Sequence, residues 1–178
     1  MSARARWSRR LVLPLVGVVA LVGCGRDDSA TIARAQQALA PFKEELRATL
    51  EAALVHGPDE AIGVCAEVAP RLAAQASTPD AKVGRTSSRL RNPANAAPKW
   101  LDFAAVTGPR VFDLDDGRFG YAEPIVTQEL CTTCHGKDLA PSILERLRAR
   151  YPDDAAMGYG VGDVRGAFWV ELAPTASR

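Results

Sequence analysis

Histidine and methionine are nearly absent from this chain: its 178 residues hold two of each. Beyond Met1, that leaves His56, His135 and Met157 as the side chains of these types able to bind a metal. Cysteine is scarce too, with four residues at positions 24, 65, 131 and 134. These are too few for a disulfide framework, and a chain of this length can bury a core without one. Charge excess is missing as well: 22 Lys and Arg against 21 Asp and Glu give a formal net charge of +1. Four of the cations, Arg4, Arg6, Arg9 and Arg10, lie at the N-terminus, and losing them leaves 18 bases against 21 acids, a charge of −3. A slightly acidic domain without a basic cluster argues against a nucleic-acid partner. The apolar run Leu11 to Val22 is broken by Pro14 and Gly17 and falls short of the roughly 20 residues a membrane span needs. There is no internal repeat and no low-complexity stretch. Length and an ordinary 47% hydrophobic composition predict one folded domain.

What stands at the N-terminus reads as an address. Arginines precede the apolar run, the pattern of a secretory signal peptide. The run ends in Leu21-Val22-Gly23-Cys24, which resembles a bacterial lipobox, with Cys24 the residue that is lipidated. Multiple acyl chains hold a protein on a membrane stably where one does not. Arg9-Arg10 is a weak twin-arginine signal, and general secretion is the expected route. The expected organisation is a signal peptide over 1–23, a lipidated tether over 24–30 and a single domain over 31–178. The expected location is periplasmic and membrane-anchored, with the outer membrane slightly favoured because Gly25, not an aspartate, follows Cys24.

Along the mature chain, Ser29 is placed to cap a helix in which Ile32, Leu39, Phe42, Leu46, Leu50 and Leu54 recur at helical spacing. Pro41 should kink or split it, and His56-Gly57-Pro58 should stop it. A second helix is predicted from Asp59, with Ile62, Cys65, Val68, Ala69 and Leu72 on one apolar face and Pro70 limiting its regularity. Lys82 to Leu90 reads as a strand, Arg91 to Trp100 as loop, and Trp100 to Val106 as a short helical segment. Val111 to Leu114 and Phe119 to Ala122 flank Asp116-Gly117, a hairpin signal. Ser142 to Arg150 is predicted as a helix capped by Ser142, with Glu145 three residues on. Tyr159 to Gly166 reads as glycine-rich loop. In Ala167 to Leu172, Phe168, Val170 and Leu172 alternate with Trp169 and Glu171, a final strand. Helices followed by antiparallel strands predict an α+β domain.

The chemistry is concentrated in Cys131-Thr132-Thr133-Cys134-His135, the attachment pattern of c-type haem. Two thiols three positions apart can each add to one porphyrin vinyl group, and the adjacent histidine then falls under the iron. A zinc site would need a second ligand pair, and Cys24, Cys65 and His56 do not form one. A thioredoxin-like pair would open a helix after a strand and needs no histidine beside it. Cys65 is left as a lone thiol, either packed as a small hydrophobe or ligating iron. Met157 and His56 are the other candidates for the sixth ligand. Met157 follows the haem motif in the order of mitochondrial-type cytochromes, although the motif here lies late in the chain. His56 also reads as a helix C-cap residue. Arg85, Arg89 and Arg91 are candidate contacts for haem propionates, since arginine pairs with carboxylates in a forked geometry. They read equally well as solvated arginines on a strand edge.

Several separated segments resemble one family of small c-haem domains with a PAS-like fold, typified by a cyanobacterial photosystem-associated protein. They are Ala61 to Cys65 with Ala69-Pro70, Gly84 to Ser87 through Arg91 to Asn95, and Glu123-Pro124-Ile125. Cys131 to Gly136, Tyr151-Pro152-Asp153 and Gly158-Tyr159 with Gly162 to Phe168 complete the set. They cover most of the chain from Asp59 onward. Ala96-Ala97-Pro98 departs from the family's shorter Asn-Ala-Pro run, as a loop insertion would. The resemblance implies a PAS-like antiparallel sheet with flanking N-terminal helices, one covalent haem c, and His135 with Cys65 on its iron. A thiolate ligand favours ferric iron and so implies a low reduction potential.

These readings lead to a non-catalytic mono-haem cytochrome in electron transfer or redox poise, working with an unidentified redox partner protein. The alternative is a redox or gas sensor acting through a separate partner protein, because no kinase, methyl-acceptor or cyclase segment follows the domain. A peroxidase would need a polar acid–base group on the distal side, and no histidine stands in position for that.

Overall fold

The computed structural model of the chain describes residues 28–174. The segment read as a signal peptide and the lipidation residue Cys24 lie outside the described residues. Helix α1 spans Ser29–Val55 and buries Ala35, Leu39, Phe42, Leu46 and Ala53. Pro41 does not split it. Pro41 and Gln37, whose carbonyl loses its helical donor to the proline, are both exposed, so solvent can satisfy that carbonyl. Leu39 and Phe42 meanwhile pin the helix on either side. Asp28, not Ser29, occupies the N-cap position.

The second helix is three pieces: α2 (Pro58–Gly63), a π turn (Val64–Val68) and α3 (Ala69–Ala76). Pro70 sits in the first turn of α3, where its missing N–H costs nothing. Strand β1 covers Ala81–Thr86 and leaves the sheet earlier than expected. There the Ser87 hydroxyl donates to the Arg165 carbonyl at 2.5 Å. The expected helical segment before β2 shrinks to a 3-10 turn at Phe103–Ala105. Strands β2 (Arg110–Asp113) and β3 (Phe119–Val126) form the predicted hairpin, with Gly117 supplying φ of 76° at its turn. Helix α4 (Glu129–His135) carries the CTTCH motif. Helix α5 (Pro141–Arg150) begins one residue before Ser142, with Ala140 at the N-cap position, so Ser142 does not cap it. Strand β4 spans Val164–Leu172 and takes in part of the expected loop.

The fold is α+β, with one antiparallel sheet in the order β1-β4-β3-β2. Strand alternation divides its two faces. On one face Val83, Tyr121, Val170 and Leu172 meet the apolar stripe of α1. On the other, Trp100, Leu101, Val106, Ala122 and Ala167 form a second cluster. The helical face changes character along the strands. Beyond the dry core comes a row formed by Arg85, Phe168 and Glu123, paired across β1, β4 and β3. The register then slips between Ile125 and Val126, so that Ile125 opposes Gly166, Val126 opposes Val164, and Arg165 is left over as a bulge.

One polar network crosses the helix–sheet interface. The fully buried Tyr121 donates its hydroxyl to Glu123 Oε2 at 2.7 Å and accepts from Gln36 at 3.3 Å. Lys43 of α1 pairs with the same Glu123. Burial, reinforced by the Glu123 carboxylate, pushes the Tyr121 phenol upward, so it stays a donor.

Phe42 is 1% exposed and meets Phe168 edge-on, with centroids 5.8 Å apart. Phe42→Ala is expected to lower the unfolding free energy by about 3–5 kcal/mol, read from a urea titration.

Candidate functional site

Helix α4 is only seven residues long, and its business is orientation. Cys131, Cys134 and His135 stand at i, i+3 and i+4, so a single helical face presents both thiols and the imidazole. Gly136 ends the helix by returning its N–H to Thr132 O at 2.9 Å. A Cβ at Gly136 would lie 2.5 Å from that oxygen, so the close approach requires glycine. The chain then passes beneath the histidine again. Gly158 and Tyr159 donate their N–H groups to the carbonyls of Gly136 and His135, each at 2.9 Å.

His135 Nδ1 lies 2.7 Å from the Ala156 carbonyl. A carbonyl only accepts, so Nδ1 carries the proton and Nε2 keeps its lone pair. Burial, helped by the Arg91 and Arg165 guanidinia, pushes the imidazole down to about 3. The ring is therefore neutral, the form that binds a metal. Burial also raises the Cys134 thiol, against the pull of Arg91, and the neighbouring thiols of Cys65 and Cys131 add to the rise.

These groups border a cavity of about 470 Å3. Cys131, Cys134 and His135 come from α4, and Cys65 comes from the π turn. Leu46, Leu50 and Leu54 of α1 and Ile62 of α2 line the helical side, while Ile125 and Phe168 line the sheet side. The volume falls in the range of cofactor and ligand sites. A smaller cavity of about 60 Å3 shares Cys65, His135, Arg85, Arg91 and Arg165 with it and adds Arg89.

The three arginines singled out in the sequence have different surroundings. Arg85 donates from Nη2 to the Cys65 carbonyl at 3.0 Å. Arg91 donates from Nε to Asp154 Oδ2 at 2.9 Å and from Nη2 to the Cys134 carbonyl at 2.6 Å, with a longer contact to Ala156 O at 3.4 Å. Arg89 is exposed, its guanidinium 3.8 Å from the centroid of the Tyr159 ring. Met157 and His56 line neither cavity. The segment around Met157 instead serves as a strap under His135, through Ala156 and Tyr159.

Arg165 belongs to the site and carried no role in the sequence reading. The bulge takes it out of strand alternation and brings it to both cavities, with Nε buried and without a hydrogen-bond partner. Its place in a run that reads as glycine-rich loop hid it; only inside β4 does Gly166, where a Cβ would lie 2.3 Å from Thr86 O, mark the close backbone approach beside the bulge.

The helices and antiparallel sheet of this α+β domain thus flank a cofactor-sized cavity bordered by three thiols and a neutral imidazole. The chain belongs to the Tll0287-like family, whose model matches residues 26–173. Among solved structures, the crystal structure of the cyanobacterial haem protein Tll0287 is similar in fold, with a TM-score of 0.58 over 84% of this chain and 98% of that one, at 20% identity. No curated protein matches the chain.

Arg91 and Asp154 are 9% and 4% exposed, so their pair is largely desolvated. Asp154→Asn keeps the shape but strands the guanidinium, and should lower stability by about 3–5 kcal/mol in a denaturant titration.

Proposed function

We propose that this protein is an exported, lipid-anchored, mono-haem c-type cytochrome serving electron transfer or redox poise at a membrane. The observation that carries the reading is the shared cavity: Cys131, Cys134, His135 and Cys65, the cysteines and histidine assigned to haem, all border it. The fit extends to the rest of the lining. Leucine and phenylalanine walls suit a porphyrin face, and the free lone pair of His135 suits iron. The arginine end suits two propionates, above all the unpartnered Nε of Arg165. Cys131 and Cys134 would hold the haem by thioethers, and His135 and Cys65 would ligate its iron. Haem supplies one-electron exchange at its iron. The chain's own residues bind it, exclude water and set its potential, which a thiolate from Cys65 lowers. The family membership and the fold shared with a haem protein support the same reading. No side chain lining the cavity offers a histidine beyond His135, and the reading is of a non-catalytic protein with a redox partner.

A sensor acting through a separate protein is the second reading. The placement of Cys65 in a π turn favours it, because such turns mark functional irregularities in helices.

Haem-loaded protein should show a low-spin thiolate signal by ferric EPR that Cys65→Ala abolishes, while haem remains attached. An unchanged signal would make Cys65 a packed residue and overturn the His135–Cys65 ligand pair. Rapid carbon monoxide binding by the reduced wild type would favour sensing over electron transfer. Replacing Cys131 and Cys134 together by alanine should remove covalently retained haem from denaturing gels. Cys24→Ser should abolish incorporation of labelled fatty acid and release the protein from membranes.

A further inference from the structure

Cys65 is the second residue of the π turn, in which the Ala69 N–H reaches back five residues to the Val64 carbonyl. In α-helical register the Cys65 carbonyl would take that same N–H, which is already committed. In π register it would take the N–H of residue 70, which is proline and has none. The Cys65 carbonyl is therefore released from its own helix. It is met instead by Arg85 Nη2 at 3.0 Å. Arg85 lies on β1 opposite Phe168 of the central strand, so the donor is anchored in the sheet and not in the helix it holds.

We propose that Pro70 and Arg85 form a positioning pair for Cys65: the proline frees its carbonyl, and the arginine clamps that carbonyl so the thiol is held at the cavity. This rests on the reading of Cys65 as an iron ligand. A ligand on an irregular turn lacks the full ladder of helical hydrogen bonds that fixes a regular helix. The clamp substitutes a charge-assisted bond, stronger than the neutral one it replaces. It parallels the bond from Arg91 to the Cys134 carbonyl on the other side of the site. Both ligand-bearing segments are thus held through their backbone by arginines six residues apart in sequence, at 85 and 91.

The test compares haem-loaded full-length wild type with Arg85→Met, Arg85→Lys, Pro70→Ala and Cys65→Ala. Readouts are the ferric thiolate EPR signal, the rate of carbon monoxide binding after reduction, and thermal melting as a folding control. The proposal expects Arg85→Met and Pro70→Ala both to weaken or broaden the thiolate signal. Both should also speed carbon monoxide binding by about tenfold, the factor that one charge-assisted hydrogen bond supplies. In Pro70→Ala the restored N–H competes for the Cys65 carbonyl while every arginine stays in place, so this variant keeps the test open if Arg85→Met does not fold. Arg85→Lys should recover part of the wild-type signal. If Cys65→Ala abolishes the signal but Arg85→Met and Pro70→Ala leave it and the rate unchanged, the positioning pair is wrong and the ligand reading stands. If Arg85→Met acts and Pro70→Ala does not, the arginine works through its charge alone and the proposal is overturned. If Cys65→Ala changes nothing, the ligand reading itself has failed.

Discussion

Arg91 and Asp154 stand 63 residues apart in sequence and are almost wholly withdrawn from water. A pair so placed is costly to break and modest in net gain, so its effect is felt mainly as geometry. Its two ends belong to the loop after β1 and to the strap that runs beneath His135. The same guanidinium reaches the Cys134 carbonyl, and the same carboxylate accepts the Ala156 N–H at 2.8 Å. The Ala156 carbonyl in turn accepts the hydrogen bond from the imidazole Nδ1–H. One ion pair therefore sets the height of the strap, the tautomer of the histidine and the end of the helix that bears the thiols.

The sheet supplies the remaining constraint by doing two jobs on one face. Toward one end its strands offer Val83, Tyr121, Val170 and Leu172 to α1 and close a dry core. Toward the other they offer Arg85, Glu123, Phe168 and Ile125 and leave a cavity. Helix α1 runs over both regions, and its leucines pass from core packing at Leu39 to cavity lining at Leu50 and Leu54. The stability of the domain and the shape of its site are consequently set by the same two elements.

Much of this was legible in the residues. The apolar stripe of α1, the hairpin at Asp116-Gly117, helix α5 and the alternation of β4 all follow local patterns, and local patterns are what a sequence displays. The CTTCH motif carries its chemistry in its spacing. What escaped depends on partners distant in sequence. Continuity of α1 through Pro41 is a matter of which side meets water. The extension of β3 and β4 and the bulge at Arg165 are products of strand pairing, which no local window contains. The π turn leaves no local sequence pattern beyond Pro70, and the donor that meets the Cys65 carbonyl, Arg85, stands 20 residues away on β1. Cys65 could be named as a thiol without an assigned partner, but its neighbours could not.

The central position of β4 bears on the order in which the molecule assembles. This last strand lies between β1 and β3, and its Leu172 pairs with Ala81. Neither β1 nor the hairpin can join the sheet until the C-terminal residues are present, and closing so distant a contact is slow. During that interval the floor of the chamber is missing while α4 and its two thiols already exist in the chain. The two thiols thus precede, in chain order, the strand that brings Arg165 and Phe168 to their cavity. A chain that emerges N-terminus first therefore presents its helical wall and the CTTCH segment before the strand that completes the sheet opposite them, so strand order is also an order of assembly.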